Sequence, residues 1–143
     1  MFERLSLGLN DAQRAISAAL AEAERDGRPM AVAVVDANGD LISCARMDGA
    51  HERILRMAIR KAYTAATMER DTVAFKDDIA SHARSLADYG DALFTTLQGG
   101  KPVRFEKRVV GAVAVGGNTP DRDKGIAEIA AAAVASGLER SQA

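Results

Sequence analysis

The sequence predicts an α/β fold of the α+β kind, one antiparallel sheet with helices on both sides. Three observations carry that prediction. Apolar residues recur at helical spacing in segments that alternate with short apolar runs of strand character. The strand-like runs come in pairs joined by turns of a few residues, which makes each pair antiparallel. No linker, low-complexity tract or repeat divides the 143 residues, so they form one domain.

The first helix is expected over residues 11–26. Ala12, Ile16, Ala19, Leu20 and Ala23 share a face, Asn10 is the N-cap with Gln13 three residues on, and Gly27 and Pro29 stop the helix. Residues 30–35 form a continuous apolar run, suited to a strand covered on both faces. Asp36-Ala37-Asn38-Gly39-Asp40 is a turn, and residues 41–47 return as a second strand. A helix over 51–68 follows, with Ile54, Leu55, Ala58, Ile59, Ala62, Ala65 and Ala66 inward and Arg53, Arg56 and Arg60 outward. A further helix is read over 77–88, with Phe75, Ile79, Ala83 and Leu86 on one side, and another turn or two over 91–97. Residues 103–105 make a short strand, Glu106-Lys107 a tight turn, and 109–116 a strong strand. Thr119 caps the last helix with Pro120 first; Ile126, Ile129, Ala130, Ala133 and Val134 face inward, and Gly137 ends it.

Composition excludes several classes. The chain is 48% hydrophobic and 27% charged, and 19 basic residues against 20 acidic leave no net positive field for a nucleic-acid backbone. No apolar stretch approaches the roughly 20 residues a membrane helix needs. Met1-Phe2-Glu3-Arg4 does not open a secretory signal, and Cys44, alone, cannot form an internal disulfide; the expectation is a cytoplasmic protein. Two histidines and one cysteine are too few for a structural zinc site, and no metal is expected. Aromatics are 4% of the chain, so its core is thin, and a homo-oligomer is expected to bury what the single chain cannot.

Several segments in order resemble the GlcG/HbpS-like, or haem-degrading domain, family. They are Ala31-Val32-Ala33-Val34-Val35-Asp36-Ala37-Asn38-Gly39, Arg46-Met47-Asp48-Gly49-Ala50, Lys61-Ala62-Tyr63-Thr64-Ala65, Gly99-Gly100-Lys101-Pro102 and the strand from Val109 to Val115. The resemblance implies a profilin-like fold with a five-stranded antiparallel sheet, and assembly into dimers to octamers. It also implies kinship with haem-binding sensors, with a domain of some cobalamin adenosyltransferases, and with small proteins encoded beside catabolic enzymes. The first helix here contains no histidine, so haem binding is expected to be weak or non-specific.

The candidate site is Arg46, Asp48, Gly49, Ala50, His51 and Lys61. A guanidinium and a helix N-terminus favour a bound anion, and free N–H groups at Ala50, His51 and Glu52 would add to them. The alternative there is that Asp48 caps the helix and Arg46 pairs with it. His51, placed over the inward stripe, is a candidate general base or haem ligand, and Asp48 and Lys61 complete a possible catalytic set. Lys61 leans toward the apolar face, either as a cation at a pocket or with its stem on the core. It lies about 15 Å from His51 along the helix, so the two cannot pair closely within it. His82 is read as a partly buried structural histidine or a second haem ligand, and Cys44 as an inert small hydrophobe. Gly116-Gly117-Asn118-Thr119-Pro120 precedes a helix but lacks the Gly-Lys-Ser/Thr ending of a nucleotide loop. Asp121, Asp123 and Glu128 concentrate acid near the last helix's start.

Two function classes follow. One is a protein that binds a small organic anion, or less readily haem or another tetrapyrrole. The other is an enzyme acting on a small carboxylated metabolite with His51 as acid or base.

Overall fold

A computed structural model describes residues 1–142. In chain order the elements are α1 (Leu9–Asp26), β1 (Ala31–Asp36), β2 (Leu41–Arg46), α2 (Glu52–Met68), α3 (Thr72–Ser81), a single 3-10 turn at Leu86–Tyr89, β3 (Gly100–Phe105), β4 (Arg108–Gly116) and α4 (Pro120–Gln142). The strands form one antiparallel sheet in the order β2-β1-β4-β3. β1 and β4 are central and buried, which is why their sequences are continuous apolar runs.

Strand alternation sorts the two faces. Val32 and Val34 of β1 stand beside Val115 and Val113 of β4, and α1 and α4 pack over them through Ala12, Ala15, Ala19, Ala23, Ile126 and Val134. On the opposite face Ala33, Val35, Ala112 and Ala114 meet Ala58, Ala62, Ala65 and Ala66 of α2. Alanine against alanine lets α2 lie close to the sheet, and this closeness carries Lys61 to the end of β4. A smaller cluster of Phe75, Phe94 and Tyr89 in edge-to-face contacts, with Tyr63 beside it, covers the far side of α2.

The sheet has four strands, where the family resemblance implied five. The chain between α2 and β3 is spent on α3, the 3-10 turn and loops. The N-terminal segment touches β4 through one backbone bond, from the Leu7 N–H to the Val110 carbonyl at 2.9 Å, and one bond does not make a ladder. Val110 is the extra residue of a bulge, since Val103 pairs with Gly111 and Arg104 with Val109.

Several expected boundaries move, each for a local reason. The first helix begins at Leu9, because the Asp11 carboxylate accepts the Gly8 N–H at 2.9 Å in place of the expected Asn10 and Gln13. The third begins at Thr72, because Asp71 caps it by accepting from the Ala74 N–H at 3.2 Å. It stops at Ser81, and Ala83, expected inward, is exposed with a left-handed φ of 51°. Residues 91–97 are not helical. Gly137 does not end α4: the Arg14 guanidinium of α1 crosses where its Cβ would stand, so the glycine serves packing. Ile129, expected in the inward stripe, is 41% exposed, and Ala127 and Ala131 take the inward positions. Among the described residues no helix is long and apolar enough to cross a membrane.

Candidate functional site

β4 ends at Gly116 and α4 begins at Pro120, and a pocket of about 380 Å³ opens beside the loop between them. Arg53, Ile54 and Met57 from the first turns of α2 make one wall. Arg28, from the connection between α1 and β1, and Leu97 and Gln98, just before β3, make others. The loop from Gly116 to Asn118 closes the circuit, and Lys61 and Asp123 form the buried floor.

Lys61 reaches this place because it sits among the alanines of the inward stripe of α2 and is 5% exposed. Its ammonium donates to the Val115 carbonyl at 2.9 Å and stands 3.8 Å from the Asp123 carboxylate, an ion-pair distance longer than a hydrogen bond. Asp123, in the first turn of α4, also accepts the Asn118 N–H at 2.9 Å and so fixes the loop. The Asn118 side chain is held in turn by Asp26 of α1. Burial draws Lys61 below the usual lysine range, with the Asp123 charge opposing it. Burial likewise pushes the Asp123 carboxyl up, with Lys61 opposing.

Two glycines are required by the close packing around the amine. At Gly99 (φ 124°) a Cβ would stand 2.7 Å from the Val115 carbonyl oxygen and 3.0 Å from Lys61 Nζ. At Gly116 it would stand 3.0 Å from the Ile54 side chain. The wall and floor carry three cationic side chains, Arg28, Arg53 and Lys61, against one carboxylate, Asp123. Such a pocket attracts an anion and can place it beside a buried amine.

Of the residues expected from sequence, Lys61 alone lines this pocket. Arg46 ends β2 and is exposed, and Asp48 and Gly49 lie in a surface turn. The Ala50 N–H, expected free for an anion, is spent on the Met47 carbonyl at 3.1 Å. His51 is exposed and stands outside the helix: its backbone is extended, it is the N-cap, and its Nδ1 accepts the Arg53 N–H at 3.3 Å. Its expected place over the inward stripe therefore fails, as does a cap by Asp48. Arg46 and Asp48 form no ion pair among the described residues. His82, expected partly buried, is exposed at the end of α3, where Nδ1 meets the Asp78 carbonyl at 2.9 Å. Cys44 is half-buried against the small cluster under α2.

Sequence reasoning missed Arg28, Arg53 and Asp123 as site residues. Asp123 had a signal, since it stands three, four and seven residues before Ile126, Ala127 and Ala130, all buried on the inward stripe of α4. The loop from Gly116 to Asn118 lacks the ending of a nucleotide loop, yet it lines the pocket.

The family model described as haem degrading protein HbpS-like matches residues 7–133. Protein GlcG of Escherichia coli (strain K12) is 32% identical over 115 residues, 80% of this chain and 84% of its own. A double mutant of HbpS from Streptomyces reticuli superposes with a TM-score of 0.83 at 32% identity, covering 92% of this chain and 89% of that one. A PduOC structure solved as a haem complex superposes with a TM-score of 0.80 at 26% identity, covering 90% and 95%.

Neither histidine is placed to ligate a haem iron in this pocket: both are exposed, neither lines it, and its floor is a lysine–aspartate pair.

Proposed function

The chain belongs to the HbpS-like family, and from that premise we propose that it binds a small organic anion in the pocket floored by Lys61 and Asp123. One observation carries the reading. A lysine ammonium, nearly buried at a pocket floor, makes a single hydrogen bond among the described residues, at 2.9 Å, while two arginines stand in the walls. An ammonium has three donors, so Lys61 has capacity left for a ligand oxygen. In this reading the turn from Arg46 to His51, which borders the start of α2 and is not part of the pocket's lining, makes no contact with the ligand.

Calorimetry with a panel of small mono- and dicarboxylates tests the reading. A charge-assisted hydrogen bond contributes about 1.5–3 kcal/mol, so Arg53→Ala and Lys61→Gln should each weaken binding about tenfold or more. Arg46→Ala and His51→Ala should leave it nearly unchanged. The reverse pattern would move the site to the turn before α2. Haem titration should give no sharp Soret band at one-to-one stoichiometry; such a band, lost in His51→Ala, would restore a haem site. We propose a cytoplasmic location, with which a chain carrying a single cysteine and no internal disulfide is compatible.

A further inference from the structure

Resting on that site, we propose that the ligand is an oxo acid and that Lys61 holds its carbonyl carbon covalently, as an imine. A primary amine at the floor of an anion-attracting pocket differs from a surface lysine in two ways that matter for this chemistry. It is screened from water, which would otherwise compete for the carbonyl, and it stands 3.8 Å from a carboxyl group able to carry a proton. A side chain at either neighbouring glycine would crowd the amine, its Cβ standing 3.0 Å from Nζ at position 99 and 3.6 Å at position 116. The arginines in the wall supply the partner for the acid's carboxylate, so the molecule is held at two points.

The step balances without any further reagent. Lys61 as ammonium gives one proton to Asp123, and the freed lone pair attacks the carbonyl carbon. The C–N bond forms as the carbonyl π pair moves to oxygen, which takes the proton back from Asp123. Nitrogen then loses a second proton to Asp123, which passes it to the hydroxyl as water leaves and the C=N bond closes. The net change is an ammonium and a carbonyl converted to an iminium and one water, with charge conserved because nitrogen keeps its third proton. The buried environment favours the first transfer, since it draws Lys61 below the ordinary lysine range and pushes the Asp123 carboxyl up.

The test is reductive trapping of the full chain with borohydride in the presence of pyruvate or 4-oxopentanoate, read by intact mass and peptide mapping, beside calorimetry with the same acids. The expected result is a single reduced adduct with at least one acid, mapped to Lys61. It should be absent in Lys61→Arg, which keeps the positive charge but has no amine. Trapping should be slower in Asp123→Asn by about a hundredfold, the lower end for acid–base assistance. An acid that binds by calorimetry but leaves no adduct overturns the imine and leaves the anion site standing. Adducts spread over exposed lysines also overturn it. Failure of both acids to bind or to be trapped overturns it together with the site.

Discussion

Lys61 and Asp123 are each nearly buried, their side chains 6% and 7% exposed, and neither is comfortable without the other. Two charges taken out of water lose several kcal/mol of hydration each, which their attraction only offsets. Removing one partner strands the second. Asp123→Ala is therefore expected to destabilise the fold by about 3–5 kcal/mol in chemical denaturation. The double substitution Lys61→Met with Asp123→Leu should recover most of that loss, since an apolar pair leaves no charge behind. If the double variant is as unstable as the single one, the pair matters for shape and not for charge. The same burial sets a pH dependence for binding. Lys61 is drawn below its ordinary value of 10.5, so as pH rises it loses its charge earlier than a surface lysine would. Affinity for an anion should fall on the alkaline side with a midpoint below 10.5. Lys61→Arg, whose guanidinium does not titrate in this range, should flatten that limb.

At the scale of elements, two glycines distinguish backbone conformation from space. Gly27 ends α1 with φ 65° and nothing within 4 Å of a would-be Cβ, so Gly27→Ala should cost about 1–2 kcal/mol, the left-handed penalty alone. Gly99 has φ 124° and a would-be Cβ pressed on the Val115 carbonyl and Lys61 Nζ. Gly99→Ala should be more destabilising in thermal unfolding and should also weaken anion binding, which Gly27→Ala should not. The contrast also explains what was legible in the sequence. The turns were, because their chemistry is local: Asn38-Gly39 closes one hairpin, and Glu106-Lys107, both at positive φ, closes the other. The inward lean of Lys61 was legible too, since a helical wheel needs only its neighbours. Gly137 was not, because it reads as a stop until Arg14 from another helix is found lying across it. Asp123 reads only as one of three acids near the start of the last helix, with Asp121 and Glu128, since its partner lies on a different helix. His51 was misplaced by one residue of helix boundary, enough to take a side chain off the wheel altogether.

For the whole molecule the question is what covers the outer face of α4. Ile129 is 41% exposed, and Ala132, exposed as well, follows it at helical spacing with the half-buried Ala133 beside it, so a small apolar strip borders the core on its outer side. A lone exposed isoleucine needs no explanation, but a strip at helix spacing is the surface a second helix packs against. The expected partner is another copy of this chain, because the thin aromatic core leaves each subunit with little large apolar surface of its own. Light scattering at micromolar concentration should then give a multiple of 15.1 kDa. Ile129→Asp should shift the population toward lighter species, since a carboxylate buried between helices loses its hydration without a partner. Ile129 is not among the residues lining the Lys61 pocket, so the lighter species should still bind the anion with unchanged stoichiometry per chain. Leu97 is the informative contrast, being 47% exposed and also in the pocket wall. If Leu97→Asp lowers both mass and affinity while Ile129→Asp lowers neither, the subunits meet at the pocket mouth, and α4 faces water.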